Sequence, residues 1–183
     1  MTTTHLIAIL ADAGIPSVII GGVAMRLHDS SRSTQDLDLS VSATDIDEAV
    51  RTLYSAGWVL VCAVSDEGAT VFGTVEAALS WIDGANPGSL TLVRRPASVP
   101  DVASGDVPHR EIEVDSQIDL LYDLAVPFGR LLHQARVVEI EGAEVRCASD
   151  RHLLQLKEAR RDKSAADQAD IAYLRSRLGL NPS

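Results

Sequence analysis

The sequence predicts an α/β (α+β) fold in which helices flank a small mixed β-sheet and a helical pair follows at the C-terminus. Three observations support this prediction. An apolar run at 18–20 leads into Gly21 and Gly22, the acidic residues Asp36 and Asp38 stand on a second β-prone segment, and two segments with helical apolar spacing end the chain. Because strand side chains alternate between faces, Asp36 and Asp38 are expected on one face of the sheet.

The first third of the chain alternates between helical and extended patterns. Apolar residues recur on one face of a predicted helix that stops at Gly14. Thr44 is a plausible N-cap for a later helix with acidic residues in its first turns, where negative charge suits the helix dipole. The predicted elements here are helices at 4–13, 23–28 and 44–56, a polar loop at 29–35, and strands at 17–20 and 37–41.

The rest of the chain contains β-prone runs, a loop rich in proline, and the C-terminal helices. Three prolines between 95 and 109 predict a loop, and Gly142 lies at the centre of a predicted hairpin. The predicted strands are 58–64, 89–94, 118–121, 136–140 and 144–148, with a turn at 65–69. The predicted helices are 75–82, 128–135, 149–161 (with Ser149 as N-cap) and 165–178.

Length and composition restrict the class of protein. The 183 residues suit a single domain, with a core at 1–148 and a helical segment at 149–183 packed on it. The net charge of −10 argues against an extensive nucleic-acid surface. Cys62 and Cys147 are too few for a disulfide framework. Since no signal segment and no apolar run of membrane length is present, we expect no membrane association and a cytoplasmic location.

The glycine turn and the acidic pair together suggest a metal–phosphate site. Two carboxylates on one face repel each other unless a cation neutralises them. Mg²⁺ prefers oxygen ligands of this kind and completes its shell with water and substrate phosphates. Gly21 and Gly22 lack the β-carbon that would keep phosphate oxygens away from the backbone N–H groups at the start of the next helix.

These residues also resemble a known family signature. Gly21-Gly22, thirteen further residues, and Asp36-x-Asp38, preceded by Arg32-x-Thr34, resemble the nucleotidyltransferase superfamily related to DNA polymerase beta. The match is to its small bacterial members, the minimal and toxin-type nucleotidyltransferases. The resemblance covers roughly 5–60 and 115–178, while 65–112 matches nothing in that pattern. It implies a nucleotidyltransferase fold.

The resemblance implies that Asp36, Asp38 and a third carboxylate on a later strand are the catalytic and metal-binding residues. Asp119 fits the third position because an aspartate within Ile-Asp-Leu-Leu is flanked by apolar residues and needs a reason to be there. Asp123 and Asp115 are the alternatives if Asp119 only marks a strand edge. The implied cofactor is Mg²⁺ or Mn²⁺, and the implied substrate is a nucleoside triphosphate (NTP).

A second set of residues is expected to bind the nucleotide. Arg26 either contacts phosphate or pairs with Asp29, and Thr34 offers a hydroxyl to phosphate or caps its own loop. A lysine on the first C-terminal helix reaches the triphosphate in the resembling enzymes, and Lys157 fits that position. The predicted nucleotide-binding residues are Gly21, Gly22, Arg26, Arg32, Thr34 and Lys157.

The basic cluster that follows Lys157 could serve phosphate or nucleic acid, but a solvated face is the favoured interpretation. The acidic residues after it are expected to orient basic side chains by salt bridges rather than to bind metal. The basic residues are Arg160, Arg161 and Lys163. The acidic residues are Asp167 and Asp170.

The sequence therefore predicts a metal-dependent nucleotidyltransferase, with ATP among the candidate substrates, that moves a nucleoside monophosphate (NMP) to a small molecule, a protein or a tRNA. The toxin-type resemblance suggests a toxin–antitoxin or phage-defence enzyme with an antitoxin or operon partner. The alternative is a non-catalytic nucleotide- or protein-binding module on the same fold. A phosphohydrolase using Asp-x-Asp ranks last, because here a whole helix separates the glycine turn from the acidic pair.

Overall fold

The structure is a computed structural model that describes residues 3–31, 34, 36–65, 68–95, 106–109 and 117–180. Helices and strands alternate along most of this chain. The helices are α1 (Thr3–Asp12), α2 (Gly21–Leu27), α3 (Ile46–Ser55), α4 (Val75–Ala85), α5 (Phe128–His133), α6 (Asp150–Ala159) and α7 (Ala165–Arg177). The strands are β1 (Val18–Ile19), β2 (Leu37–Ser40), β3 (Trp58–Ser65), β4 (Gly68–Phe72), β5 (Ser89–Arg94), β6 (Asp106–His109), β7 (Gln117–Leu121), β8 (Arg136–Ile140) and β9 (Ala143–Cys147).

The strands of the described residues form one mixed sheet in the order β6-β4-β3-β5-β7-β2-β1-β9-β8. Strand β2 lies near the middle, parallel to β7 on one side and antiparallel to β1 on the other. Strand β1 also pairs in parallel with β9. The glycine turn after β1 and the acidic residues of β2 and β7 are therefore brought to neighbouring positions in the centre of the sheet.

Alternation along the central strands separates the core from the candidate site. Leu39 and Leu120 are fully buried, and they lie on the opposite face from the acidic residues that neighbour them in sequence. Helix α2 contacts β2 and α6, while α1, α3 and α4 contact one another in series. Leu153 and Leu174 bring α6 and α7 into the same buried core as the sheet. Among the described residues, none of the helices combines the length and apolar character that crossing a membrane requires.

The predicted fold class is confirmed, but the sheet is larger than the small one expected. Strand β4 occupies part of a predicted turn and the residues after it. Strand β6 lies at the end of the predicted loop 95–109, although it contains Pro108. A proline cannot donate to a strand ladder, so it suits a sheet edge, and β6 pairs only with β4 among the described residues. The remainder of that loop, 96–105, lies outside the described residues.

Candidate active site

The candidate site is built on a row of carboxylates across the middle of the sheet. Asp38 on β2 and Asp119 on β7 are direct partners in the parallel register. Asp36 lies just before the start of β2, and its negative charge acts on Asp38. The register of β2 and β7 thus places the predicted third carboxylate, Asp119, beside Asp38.

Asp119 is held in place by two polar neighbours. Thr91 on β5 is the register partner of Asp119, and its hydroxyl donates to the Asp119 carboxylate at 2.6 Å. The side-chain amide of Gln117, two residues before Asp119 on the same strand, lies 3.3 Å from one carboxylate oxygen and 3.5 Å from the other. These contacts fix the orientation of the third carboxylate.

The glycine turn lies directly against Asp38. Gly21 begins α2 with a φ of +63°, a left-handed conformation that favours glycine, and a β-carbon there would overlap the Asp38 carboxylate. The backbone N–H of Gly22 donates to the same carboxylate. A β-carbon on Gly22 would lie 2.8 Å from the Thr34 side chain. Both glycines are thus required by close approach, Gly21 to Asp38 and Gly22 to Thr34.

The electrostatics of Asp38 reflect this crowding. Burial, together with the negative charge of Asp119 and a smaller effect of Asp36, raises the pKa of Asp38 from 3.8 to about 6. The Gly22 hydrogen bond and the positive charge of Arg160 act in the opposite direction. Asp38 is therefore a carboxylate whose negative charge is only partly compensated by its protein neighbours, as expected of a residue that receives a cation.

Beside Gly21 lies a cleft of about 190 Å³ between β7 and α6, with Lys157 and Arg160 on its helical wall. Lys157 is buried and forms ion pairs with Asp167 at 3.1 Å and Asp170 at 2.6 Å. The predicted orienting role of these two aspartates agrees with this geometry. A larger groove, of about 1040 Å³, lies along α6 and α7 and includes none of the carboxylates of the row.

The other predicted residues lie around the row. Arg26 is exposed and donates to the Thr34 carbonyl oxygen at 3.2 Å, so it helps to shape the loop before β2. Its alternative partner, Asp29, instead lies 3.5 Å from Arg177. Arg32 lies outside the described residues.

Of the alternatives to Asp119, Asp123 also lines the cleft and contacts Gly88, whereas Asp115 lies outside the described residues. Asp119 is the carboxylate that stands in register with Asp38. Asp123 is four residues further along the chain, beyond the end of β7. The register therefore favours Asp119 as the third carboxylate.

Sequence reasoning missed three side chains at this site. Thr91 and Gln117 gave no motif, because their role depends on the register of β5, β7 and β2. Arg160 was interpreted as part of a solvated face, although it lines the cleft and acts on Asp38. Only the spacing Lys157-x-x-Arg160 could have indicated that both residues lie on one side of the helix.

The donor set suits a hard divalent cation. Within the part of the chain that the structure describes, no group of three or more His, Cys, Asp and Glu side chains is close enough to hold a metal ion by itself. Mg²⁺ commonly binds through one or two carboxylates and takes its remaining ligands from water and substrate phosphates. The paired oxygens of Asp38 and Asp119, with the incompletely compensated charge on Asp38, fit that mode of binding.

Comparison with known families gives one match. A family model described as "Uncharacterised nucleotidyltransferase" matches residues 2–156, which include the glycine turn, the acidic row and most of α6. The sequence has no significant match among curated proteins.

Solved structures share the fold at low sequence identity. The structure of ANT(2'')-Ia in complex with adenylyl-2''-tobramycin is 16% identical with a TM-score of 0.51, and the match covers 95% of this chain and 86% of that one. The lincomycin-bound lincosamide antibiotic adenylyltransferase LnuA is 13% identical with a TM-score of 0.54, covering 94% and 93%. A Thermotoga maritima structure, described as a candidate nucleotidyltransferase, is 12% identical with a TM-score of 0.51, covering 96% and 89%.

The raised pKa of Asp38 predicts a pH-dependent stability. Between about pH 4 and 6 the folded protein keeps a proton that the unfolded chain has lost, so the free energy of unfolding falls as the pH rises through this window. Asp38→Asn should therefore raise the free energy of unfolding of the metal-free protein by roughly 1–3 kcal/mol at about pH 7.5 and give no gain at about pH 3.5. Urea denaturation in EDTA measures both values. The control Asp162→Asn, at an exposed position, should leave the free energy of unfolding unchanged at both pH values. An equal gain for Asp38→Asn at both pH values would contradict a raised pKa of Asp38.

The contact between Gly21 and Asp38 predicts a large effect of one methyl group. Gly21→Ala should destabilise the protein by more than the roughly 1 kcal/mol expected for a left-handed alanine, because the Asp38 side chain must also move. Gly14→Ala is the matched control, since Gly14 has a φ of +76° and no atom within 4 Å of an added β-carbon. Thermal and urea unfolding measure the difference. Equal losses for both variants would mean that Asp38 is not held against the turn.

Proposed function

Since the chain belongs to the family of uncharacterised nucleotidyltransferases, we propose that it transfers an NMP from an NTP to a hydroxyl group of an acceptor, in a reaction that depends on Mg²⁺ or Mn²⁺. The observation that carries this proposal is the register pair of Asp38 and Asp119 beside the glycine turn. It brings two carboxylates together beside Gly21, and Gly21 also lines the neighbouring cleft.

In this proposal Asp36, Asp38 and Asp119 would hold the metal together with water and substrate phosphates, which supply ligands that the carboxylates alone do not. The bound cation would neutralise charge on the phosphates and lower the pKa of the acceptor hydroxyl. Asp38, which lies against Gly21, would be one of the carboxylates that hold the cation. Asp119, oriented by Thr91, would face the acceptor and receive its proton.

The nucleotide would lie with its phosphates along the glycine turn and the cleft. The N–H groups at the start of a helix suit phosphate oxygens, but the N–H of Gly22 already donates to Asp38, so the phosphate would use the others. Thr34 and Arg26 shape the loop beside them and belong to the proposed nucleotide site, as does Arg32 by its place in the sequence motif. Lys157 lines the cleft as a cation whose charge two carboxylates balance.

The reaction exchanges one phosphorus–oxygen bond for another. The acceptor oxygen forms a bond to the α-phosphorus, and the bond from the α-phosphorus to the bridging oxygen of the β-phosphate breaks. Pyrophosphate leaves, and the acceptor proton passes to Asp119. Catalysis of this kind depends mainly on positioning and charge stabilisation.

The acceptor and the biological setting remain predictions. The similar solved structures include an adenylyl-tobramycin complex and a lincomycin-bound adenylyltransferase, which favours testing small hydroxylated acceptors first. Protein and tRNA acceptors, a toxin–antitoxin or phage-defence role, and an antitoxin partner are the other predicted possibilities. Incubation with an NTP labelled at the α-phosphate, followed by separation of small molecules, protein and RNA, distinguishes the acceptor classes.

Binding of the nucleotide is the first test. In calorimetry, ATP with Mg²⁺ should bind to the wild type, and the Asp36→Ala/Asp38→Ala variant should lose the metal-dependent part because the cation has lost its ligands. The matched control, Asp47→Ala/Asp83→Ala, removes two exposed carboxylates and should bind like the wild type. If other NTPs and Mn²⁺ also give no binding to the folded wild type, the non-catalytic alternative is favoured.

The hydrogen bond from Thr91 to Asp119 gives a second test. Thr91→Val keeps the side-chain shape but removes the donor, so Mn²⁺ affinity, followed by electron paramagnetic resonance, should fall about tenfold or more. Thr91→Ser restores the hydroxyl and should recover most of the affinity. If the valine variant binds Mn²⁺ as tightly as the wild type, Thr91 does not position a metal ligand.

A further inference from the structure

Two cationic side chains on one wall of the cleft, Lys157 and Arg160, differ in burial and in pairing. Lys157 is 3% exposed, and its ammonium group contacts both Asp167 and Asp170. The side chain of Arg160, three residues later, is 48% exposed. A buried ammonium between two carboxylates is already paired and desolvated, whereas a half-exposed guanidinium can accept a new anionic partner without losing its burial.

Arg160 keeps donors available for that partner. Its Nη1 donates to Asp167 at 3.0 Å, while its other guanidinium nitrogens, Nε and Nη2, have no hydrogen-bond partner among the described residues. Arg160 lines the same cleft as Gly21, and its positive charge acts on Asp38. The guanidinium therefore belongs to the cleft that Gly21 also lines, and its charge reaches Asp38 next to that cleft.

Asp167 connects the two cations. One of its oxygens accepts from both Lys157 and Arg160, at 3.1 and 3.0 Å. The other accepts from the backbone N–H and the hydroxyl of Ser164, which closes a capping box at the start of α7. Because both oxygens are engaged, the carboxylate cannot rotate without breaking the cap. The first turn of α7 therefore holds Arg160, the residue that follows α6, by one guanidinium nitrogen.

We propose that Arg160 is the side chain of this wall that contacts the β- and γ-phosphates of the bound nucleotide, and that Asp167, with Lys157 behind it, is a positioning residue for Arg160. This inference rests on the proposed function and refines it. Lys157 then belongs to the nucleotide site through Arg160 and Asp167, not as a direct phosphate ligand. A guanidinium held by one nitrogen presents its remaining donors in a fixed plane, which suits a polyphosphate.

The charges of the wall support this division of roles. Lys157 and Arg160 carry two positive charges, and Asp167 and Asp170 carry two negative charges, so the group is neutral before the nucleotide binds. Burial raises the pKa of Asp167, but the hydrogen bond from Lys157 and the charge of Arg160 outweigh burial and lower the pKa to about 2. Asp167 therefore stays ionised at neutral pH and keeps holding both cations.

The experiment uses inorganic tripolyphosphate with Mg²⁺ as the probe, so that no base or acceptor is needed. Arg160→Gln should weaken its binding, measured by calorimetry, about 10- to 100-fold. The matched control Arg161→Gln removes an adjacent exposed arginine that does not line the cleft and should change binding less than twofold. Mn²⁺ binding to the Arg160→Gln variant, followed by electron paramagnetic resonance, should be no weaker than that of the wild type, because Arg160 is not a metal ligand and its positive charge near Asp38 opposes a cation.

Asp167→Asn tests the positioning role. It should weaken tripolyphosphate binding in the wild type but add little in the Arg160→Gln background, whereas a merely structural role would give independent losses in the two backgrounds. Thermal unfolding checks that each variant is folded. If Asp167→Asn does not fold, the Arg160→Gln variant alone tests whether Arg160 contacts the phosphates. If the wild type binds tripolyphosphate and Arg160→Gln binds it equally well, this inference is wrong while the proposed function stands. If the folded wild type binds neither tripolyphosphate nor ATP with Mg²⁺ or Mn²⁺, both are overturned.

Discussion

The repulsion between Asp38 and Asp119 is the constraint on which the rest of the site depends. Two carboxylates in register on adjacent strands, one of them largely buried, are unfavourable in a folded protein without compensation. The neighbouring groups compensate only part of this negative charge. The Gly22 N–H and the positive charge of Arg160 act on Asp38, and the Thr91 hydroxyl donates to Asp119. The remaining negative charge suits a cation, as the proposed function requires, and it is a destabilising feature of the fold without one.

The same logic explains why the C-terminal helices belong to the site. Asp167 at the start of α7 binds cations that project from α6, and Leu174 anchors α7 in the core. The position of Arg160 near Asp38 is therefore set by contacts between helices at the far end of the sequence. Loss of Arg160, which follows the last residue of α6, would leave Asp38 without a positive charge that now lowers its pKa.

The sequence predicted the residues of the candidate site better than it predicted the strands at one side of the sheet. The carboxylates, the glycine turn and the C-terminal helices could be predicted because each is encoded locally, by alternation, by glycine chemistry or by apolar spacing. Strands β4 and β6 could not, because β4 begins inside an apparent turn and β6 contains Pro108, and each is stabilised by pairing with a distant strand. Local propensity is a weak guide wherever such long-range pairing decides the conformation.

The sequence by itself determined the family of this protein, and it supplied the carboxylates and the glycine turn on which the proposed metal and phosphate sites depend. Only the tertiary structure decided which third carboxylate stands opposite Asp38, that Thr91 holds it, and that Lys157 is enclosed by two aspartates while Arg160 remains accessible. The physical reason is the difference between local and long-range interactions along the chain. Residue type and spacing fix which face a side chain takes within one element, whereas strand register and helix packing join elements that are far apart in the chain.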